Sequence, residues 1–479
     1  MGSLLLEIGQ CGIQIGFQLL ENLQTMDYYE NNYLFRNEQN VAHSILIDTE
    51  PKVLKPALEN RKKYSFLDAK NIIYQQSGRG NNWTLGYYDS KKLMLRKKSQ
   101  NIQKPPNPNP ENHEIFQEDF LHCDKYMKEN TYLLETASEM IRKEIEKIDY
   151  YLSTMMIYSL GGGTGSGFGS RLLEEMKDDY GGNYIYNIVV FPSKIGESPL
   201  QHYNCLLSLA KLQEFSDAVI YFQNDKINNY LSYSLGKKST ESLVNVTNIN
   251  EYIVSLLSSL LKINDCNLDR FYNDILSELT PLNDLKYLEL FGTPFQFNRQ
   301  NNVGPESNWE SIINSCLNQV NVEEAESSGI EKSKEDSKYK GSYNDQAKNK
   351  NNFQTIASYT LCKSDDIDKS LINNPMILRY LERKMNSTLN PISWNPEAIN
   401  IEYLKEKHEK VLRGKNMLML ANRTSFGEIL KEINNIAYSK FKAKAYLHWY
   451  YKYGLTQEDF EICFNIIDNV IESYSEAVY

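Results

Sequence analysis

At 479 residues the chain is long enough for two or three domains with a sizeable core. Hydrophobic residues make up 41% and charged residues 24%, the balance expected of an ordinary soluble protein. The net charge of −10 argues against a nucleic-acid partner. Seven dispersed cysteines, with no CxxC and no Cys/His cluster, indicate neither zinc nor a disulfide framework and fit a reducing compartment. No apolar run approaches a membrane span. The start, MGSLLLEIG, lacks the basic flank of a signal peptide, and Leu6 stands where N-myristoylation requires Ser or Thr. A cytoplasmic protein that engages no membrane is expected.

Residues 1–225 repeat one grammar: a short apolar run, a polar or glycine-rich loop, then a helix-like stretch. Leu4 to Ile8 leads to Gly9-Gln10-Cys11-Gly12, Ser44 to Ile47 to Asp48-Thr49-Glu50-Pro51, and Asn71 to Tyr74 to SGRGNNW. Met155 to Tyr158 leads to GGGTGSG at Gly161–Gly167, Ile188 to Phe191 to PSKIGES, and Val219 to Phe222 to Gln223-Asn224-Asp225. Apolar strands alternating with helices imply a parallel sheet covered on both faces. Ligands of such sheets bind beyond the carboxyl ends of the strands, where all these loops lie.

The GGGTGSG run holds five glycines in seven residues. Between a strand and a helix start, such a turn offers free backbone N–H groups to phosphates. Thr164 and Ser166 add hydroxyls. A plain tight turn is the alternative, but it need not spend so much chain entropy. The run is not a Walker loop, since no Gly-Lys-Ser/Thr follows, and it contains no GxGxxG.

Two stretches interrupt the order. Residues 91–118 carry six Lys/Arg between Lys91 and Lys104, then PPNPNP. They read as a solvated surface insertion, with a basic docking loop as the minority reading. Residues 321–352 contain one Val and one Ile and no Leu, Met, Phe or Trp, so disorder is expected. Between them, Ile253, Leu256, Leu257, Leu260 and Leu261 make an apolar helical stripe over about 250–262, a strut to a second domain. That domain has strand-like runs at Tyr287 to Phe291 and Ile356 to Leu361. The chain end reads as helical. Ser425–Glu428 and Thr456–Asp459 both have the form of a capping box. Behind them lie stripes of Ile429, Ile433, Ile436, Ala437 and Phe441, and of Phe460, Phe464, Ile467 and Val470 or Ile471.

Glu50 and Asp48, at a strand end, could hold Mg²⁺ directly or through water, or could cap a helix next to Pro51. Asn81, Asn224 and Asn250 suit ribose hydroxyls or a guanine edge, but lone loop asparagines are more often turn formers. No Ser-His-Asp set is apparent, and the six histidines do not cluster.

In order and spacing, GQCGIQIG, DTEP, SGRGNNW, SLGGGTGSG and HWYYKYG resemble the tubulin family. The bacterial relative of tubulin shares the glycine loop but not GQCGxQIG or the HWY helix. The match covers about 1–90, 141–295 and 355–479. DTEPKVL, SGRGNNWTLGYYD and FKAKAYLHWYYKYG look most like the delta-tubulin branch. The resemblance implies an α/β tubulin-like fold: a doubly wound parallel-sheet GTP-binding domain (1–247, with an insertion at about 91–130) and a core helix (248–262). It further implies an α+β intermediate domain (263–400, with the disordered 321–352) and C-terminal helices (401–479). It also implies GTP/GDP and Mg²⁺ as cofactors. Gln10 and Cys11 would lie along the nucleotide, and Glu50 would serve the Mg²⁺. Asn81 would meet the phosphate end, and Ser159, Gly162, Gly163, Thr164 and Gly165 would wrap the phosphates. Glu197 would approach the ribose, and Asn224 and Asn250 would read guanine.

The family's remaining chemical residue is an acid that completes the neighbouring subunit's pocket and positions the attacking water. Asp274, in Arg270-Phe-Tyr-Asn-Asp-Ile, falls at that position, one methylene shorter than the family's Glu. Positioning and electrostatics are most of what phosphoryl transfer to water needs. An exposed helix charge is the bland alternative. Isolated subunits should therefore hydrolyse slowly. Two departures stand out: Val246 replaces the aromatic that stacks on guanine, a contact worth roughly 1–3 kcal/mol, and the acidic glutamate-rich tail is absent. The expected function is a GTP-binding structural protein of the cytoskeleton. It would act in centriole or basal body and triplet microtubule assembly, with other tubulins as longitudinal and lateral partners. An assembly-incompetent GTP-binding factor that caps or chaperones microtubule ends is the alternative. A free-standing nucleotide hydrolase is a weaker third.

Overall fold

The computed structural model describes residues 2–25, 33–36, 40–55, 59, 63–88, 133–194, 196, 198–234, 245–264, 271–293, 308–327, 353–364, 374–404 and 415–478. They form two compact units: Met1–Tyr221 with Ile429–Ile471, and Phe222–Glu428 with Glu472–Tyr479.

The first unit is built on a parallel sheet. β1 (Gly2–Ile8) runs into α1 (Gly9–Thr25). A two-strand hairpin, β2 (Phe35–Arg36) and β3 (Val41–Ala42), precedes β4 (Ser44–Asp48) and β5 (Ile72–Tyr74). A short helix α2 (Trp83–Tyr87) and α3 (133–145) lead to β6 (Tyr151–Ser159). Then come α4 (Gly169–Tyr180), β7 (Tyr184–Phe191), α5 (Gln201–Phe215) and β8 (Ala218–Gln223). β1 pairs in parallel with β4 on one side and β6 on the other, β4 with β5, and β6 with β7. The order is therefore β8-β7-β6-β1-β4-β5. The strands are buried almost end to end, as their mainly apolar sequences require of a sheet covered on both faces. From β1 the chain winds outward through β4 and β5, and from β6 the other way through β7 and β8. The reversal lies between β1 and β6.

The opposite ends of these strands hold a buried charge cluster. Glu144 on α3 is fully buried and takes Arg36 Nη2 on both oxygens, at 2.7 and 2.8 Å. His43 Nδ1, Asn71 Nδ2 and Lys147 Nζ complete its shell at 2.8, 2.9 and 2.7 Å. Burial pushes this carboxyl's pKa upward, but the four partners outweigh it and hold it well below the carboxylate range.

The second unit begins with α6 (Asn224–Ser234) and α7 (Val246–Asn264), the latter longer at both ends than the expected stripe. β9 (Tyr287–Thr293), α8 (Trp309–Ser327), β10 (Thr355–Lys363), α9 (Pro375–Leu389), β11 (Ile399–Leu404) and β12 (Asn416–Arg423) follow. β12 is antiparallel to both β9 and β10, and β10 is parallel to β11. Trp309, Ile313, Leu317, Leu381 and Met385 from α8 and α9 pack with Phe291, Met417 and Met419 into one core.

Two expectations about these segments need correction. α8 runs to Ser327, so 321–327 are helical where disorder was expected: an established helix extends readily through Glu-Glu-Ala. The rest of that stretch, 328–352, lies outside the described residues, as does the 91–130 insertion. The segment from 401 is not helical throughout, since 401–404 and 416–423 are strand. An apolar run as short as Met417–Ala421 does not by itself distinguish the two.

The last helices are α10 (Ser425–Lys442), α11 (Leu447–Tyr451) and α12 (Gln457–Glu476). The second capping box forms: Asp459 Oδ2 accepts from Thr456 N at 2.9 Å, and Thr456 Oγ1 accepts from Asp459 N at 3.2 Å. The first does not, and Ser425 Oγ is buried without a hydrogen-bond partner among the described residues. The buried line of α10 is Phe426, Leu430 and Ala437, with Ile429, Ile433, Ile436 and Phe441 half-buried at its margin. On α12, Phe460, Phe464, Ile467 and Val470 are buried as their spacing demands. No helix among the described residues is long and apolar enough to cross a membrane.

Candidate functional site

Open parallel sheets bind ligands at the point where strand order reverses, in the crevice left by loops that part in opposite directions. Here that point lies between β1 and β6, and the two loops bounding it are Gly9-Gln10 and GGGTGSG. They touch: Gly9 has φ +70°, and a Cβ there would sit 3.0 Å from the Gly165 nitrogen. Only glycine serves both demands.

The glycine run makes a π turn, Thr164–Phe168, that opens α4. Gly167 N donates to Gly163 O at 3.0 Å, Ser166 Oγ donates to Gly162 O, and Gly161 N donates to Ser159 Oγ at 3.3 Å. The N–H groups of Gly162, Gly163, Thr164 and Gly165 donate to no acceptor among the described residues. Four consecutive unspent donors at the positive end of a helix form an anion cradle. Beside Gly162 there is open space, with nothing within 4 Å of where a Cβ would stand.

Other strand-end loops close on this turn. Thr49 Oγ1, after β4, is 2.6 Å from Thr164 Oγ1. Asp48 Oδ1 accepts from Thr49 N at 2.7 Å and Glu50 N at 3.4 Å, so this carboxylate caps its own turn. Burial raises the Asp48 pKa to about 6 despite these two donors, with the nearby Glu50 charge adding and Arg79 subtracting. Glu50 is exposed, its carboxylate lying over Gly78. After β5, Gly80 (φ +51°) and Asn81 (φ +50°) turn the chain in the left-handed region. Arg79 and Asn82 back onto Gly163, where a Cβ would be 2.8 Å from Asn82 N and 2.9 Å from Arg79 Cβ. Gln10 is exposed at the start of α1, and Cys11 is half-buried, with burial pushing its thiol up to about 12.

Gln10 and Cys11 at the start of α1, Ser159 at the end of β6, and Glu50, Asn81, Gly162, Gly163, Thr164 and Gly165 beyond the strand ends thus belong to one unit. Glu197 lies outside the described residues. Asn224, half-buried at the start of α6, and Asn250, buried in α7, belong to the second unit. So does Asp274, exposed on a single π turn, Phe271–Ile275. Val246 is 64% exposed at the first turn of α7.

The sequence reading missed Asn204. From the first turn of α5 its Nδ2 donates to Asn81 O (2.8 Å), Gly161 O (2.9 Å) and Gly162 O (3.3 Å), while its Oδ1 accepts from Trp83 N (3.1 Å). An asparagine set within Tyr203-Asn-Cys-Leu-Leu, an otherwise apolar helical run, was the available signal.

Residues 3–107 and 112–232 match the Tubulin/FtsZ family, GTPase domain. The chain belongs to that family, and its α/β architecture is the tubulin fold. Along nearly its whole length it is similar to the tubulin delta chains of Macaca fascicularis and Homo sapiens. Each is 24% identical, with 99% of this chain and 99% of the relative covered. The tubulin beta-1 chain of Chondrus crispus is 27% identical over 53% of this chain and 51% of its own length. The protein is thus a delta-tubulin-like, GTP-binding member of the tubulin family.

Proposed function

We propose that the protein holds one guanine nucleotide at the β1/β6 reversal and completes its hydrolysis only when a neighbouring molecule covers the phosphate end. The observation that carries this reading is the row of unspent amides at Gly162–Gly165, with open space beside Gly162, where two strand-end loops part. Gly162, Gly163, Thr164 and Gly165, with Ser159 and Asn81, would wrap the phosphates, and Gln10 and Cys11 would line the nucleotide. Asn224 and Asn250 would read guanine, and Glu197 would approach the ribose. These last three assignments rest on the resemblance alone.

Mg²⁺ is commonly held by one or two carboxylates plus phosphate oxygens and water. A turn carrying the exposed Glu50 beside Asp48 fits that pattern, and a cluster of three protein ligands is not needed. When bound, the ion would neutralise charge on the terminal phosphate. Asp274 of one molecule would orient water toward the nucleotide of the next; its exposure supports a role in trans. The similarity to tubulin delta chains supports work in the cytoskeleton with other tubulins as partners; its place at centrioles or basal bodies and in triplet microtubules rests on the resemblance alone.

The first test is the nucleotide released when purified protein is denatured: GDP or GTP is expected, and protein that comes out empty and ignores GTP with Mg²⁺ refutes the site. The second is GTP turnover per molecule against protein concentration. It should rise with concentration in the wild type and stay flat and low in Asp274→Ala. Turnover per molecule that is independent of concentration and untouched by the substitution removes the in-trans step.

A further inference from the structure

Tyr450, the third residue of HWYYKYG, is fully buried. Its ring meets Tyr203 and Phe460 edge-on at 5.4 and 5.5 Å. Its hydroxyl donates to Asn204 Oδ1 at 2.7 Å and more weakly to Leu200 O at 3.3 Å. Trp83 N–H shares that Oδ1. Both neighbours of Oδ1 are donors, and all three neighbours of Nδ2 are carbonyls. The Asn204 amide therefore has one satisfied orientation, and Tyr450 helps to hold it there.

We infer that Asn204 is a positioning residue that aims the phosphate-binding amides of the glycine turn, with Tyr450 of α11 fixing its orientation. This deepens the GTP reading and rests on it. The reason is peptide geometry. In a trans peptide the carbonyl of one residue and the N–H of the next point in opposite directions. Drawing the Gly161 and Gly162 carbonyls onto Asn204 turns the N–H groups of Gly162 and Gly163 away from α5, toward the open side. The third bond, to Asn81 O, ties the 79–82 turn to the same anchor. The glycines carry no side chains to hold their peptide planes, and besides Asn204 the Gly162 carbonyl takes a donor from Ser166 Oγ. Preorganised donors bind an anion without first having to be ordered.

The test compares full-length wild type, Asn204→Asp and Tyr450→Phe. Asn204→Asp keeps the shape but sets a carboxylate oxygen against three carbonyl oxygens. Tyr450→Phe keeps the ring and removes one donor. GTP affinity is measured by equilibrium binding, and hydrogen exchange is followed with and without GTP. GTP should bind about tenfold or more weakly to Asn204→Asp and about threefold more weakly to Tyr450→Phe. In both variants GTP should protect 159–167 less than in the wild type, while exchange in β1 and β6 stays unchanged. If Asn204→Asp does not fold, Tyr450→Phe decides alone. Wild-type affinity and wild-type protection of 159–167 in the folded variants would overturn the inference. So would weaker binding accompanied by faster exchange through β1 and β6, which is a general structural defect. A wild type that fails to bind GTP would instead sink the functional reading beneath it.

Discussion

Glu7, in the middle of β1, offers the sharpest test of the packing under the candidate site. Its side chain is fully buried; Ser44 Oγ donates to Oε1 at 2.8 Å, and Oε2 has no partner among the described residues. Gly16 of α1 presses on the carboxyl so closely that a Cβ there would overlap it. Burial raises its pKa from the usual 4.5 to about 8, and the single bond from Ser44 offsets little of that. The folded state therefore keeps a proton that the unfolded chain releases above about pH 4.5. This term is fully stabilising below pH 4.5, weakens as pH rises, and is lost by pH 8, at 1.36 kcal/mol per unit. Over that window it amounts to about 5 kcal/mol. Glu7→Gln preserves the shape and cannot titrate, so subtracting its stability profile from that of the wild type isolates this residue. Urea unfolding at several pH values from 4.5 to 8.5 should show the wild type losing ground to the variant with rising pH, then a plateau. A constant offset, set by the unpartnered amide, leaves that slope intact. Infrared spectra should show a carboxylic-acid carbonyl band at neutral pH that Glu7→Gln lacks. Parallel profiles across the window would refute a protonated Glu7.

Two neighbouring glycines should behave oppositely. Gly163→Ala forces a methyl onto Asn82 N and Arg79 and should cost about 1–3 kcal/mol by thermal unfolding. Gly162→Ala meets nothing and should change stability by less than about 0.5 kcal/mol, while weakening GTP binding by crowding the open face. Glu144→Gln leaves Arg36, His43 and Lys147 facing a neutral amide and should destabilise by about 3–5 kcal/mol at neutral pH. Because the Glu144 pKa is depressed in the fold, its contribution is present above the carboxylate's unfolded pKa and is lost as pH falls below it. Acid titration of stability should therefore be shallower in Glu144→Gln. Cys11, with its thiol pushed up to about 12, should be alkylated at pH 8 about a thousandfold more slowly than an ordinary thiol, read by mass spectrometry of its peptide.

Much of the first unit could be read from residue order because its strands are short, apolar and each followed by a loop of distinctive composition. The alternation of β1, β4, β5, β6, β7 and β8 with helices follows from that pattern, and so does the anion-binding character of GGGTGSG. A run of glycines has a local meaning that needs no distant partner. The second unit was less legible. β12 is an apolar run without clear alternation, β11 is a short alternating run of Ile399, Ile401 and Tyr403 with Asn400 and Glu402, and both pair with β10 as strands. The register of the α10 stripe was misplaced by one position, because half-buried isoleucines at its margin look like core. Asp48 could be read as a metal ligand or a cap, and its Oδ1 caps the turn through Thr49 N and Glu50 N.

What the amino-acid order determined alone was chemistry carried by neighbours in the chain: the glycine turn, the strand-end loops, the second capping box and the heptad-like burial of α12. What only the tertiary structure decided was chemistry assembled across it. The reversal between β1 and β6 brings Gly9 against Gly165. Asn204 and Tyr450, 246 positions apart, share one hydrogen bond behind the turn. Glu7 is an ordinary carboxylate on paper and becomes a buried acid because β4 and α1 close over it. Local sequence sets backbone conformation within a few residues; solvent exclusion and long-range pairing depend on the whole packed chain.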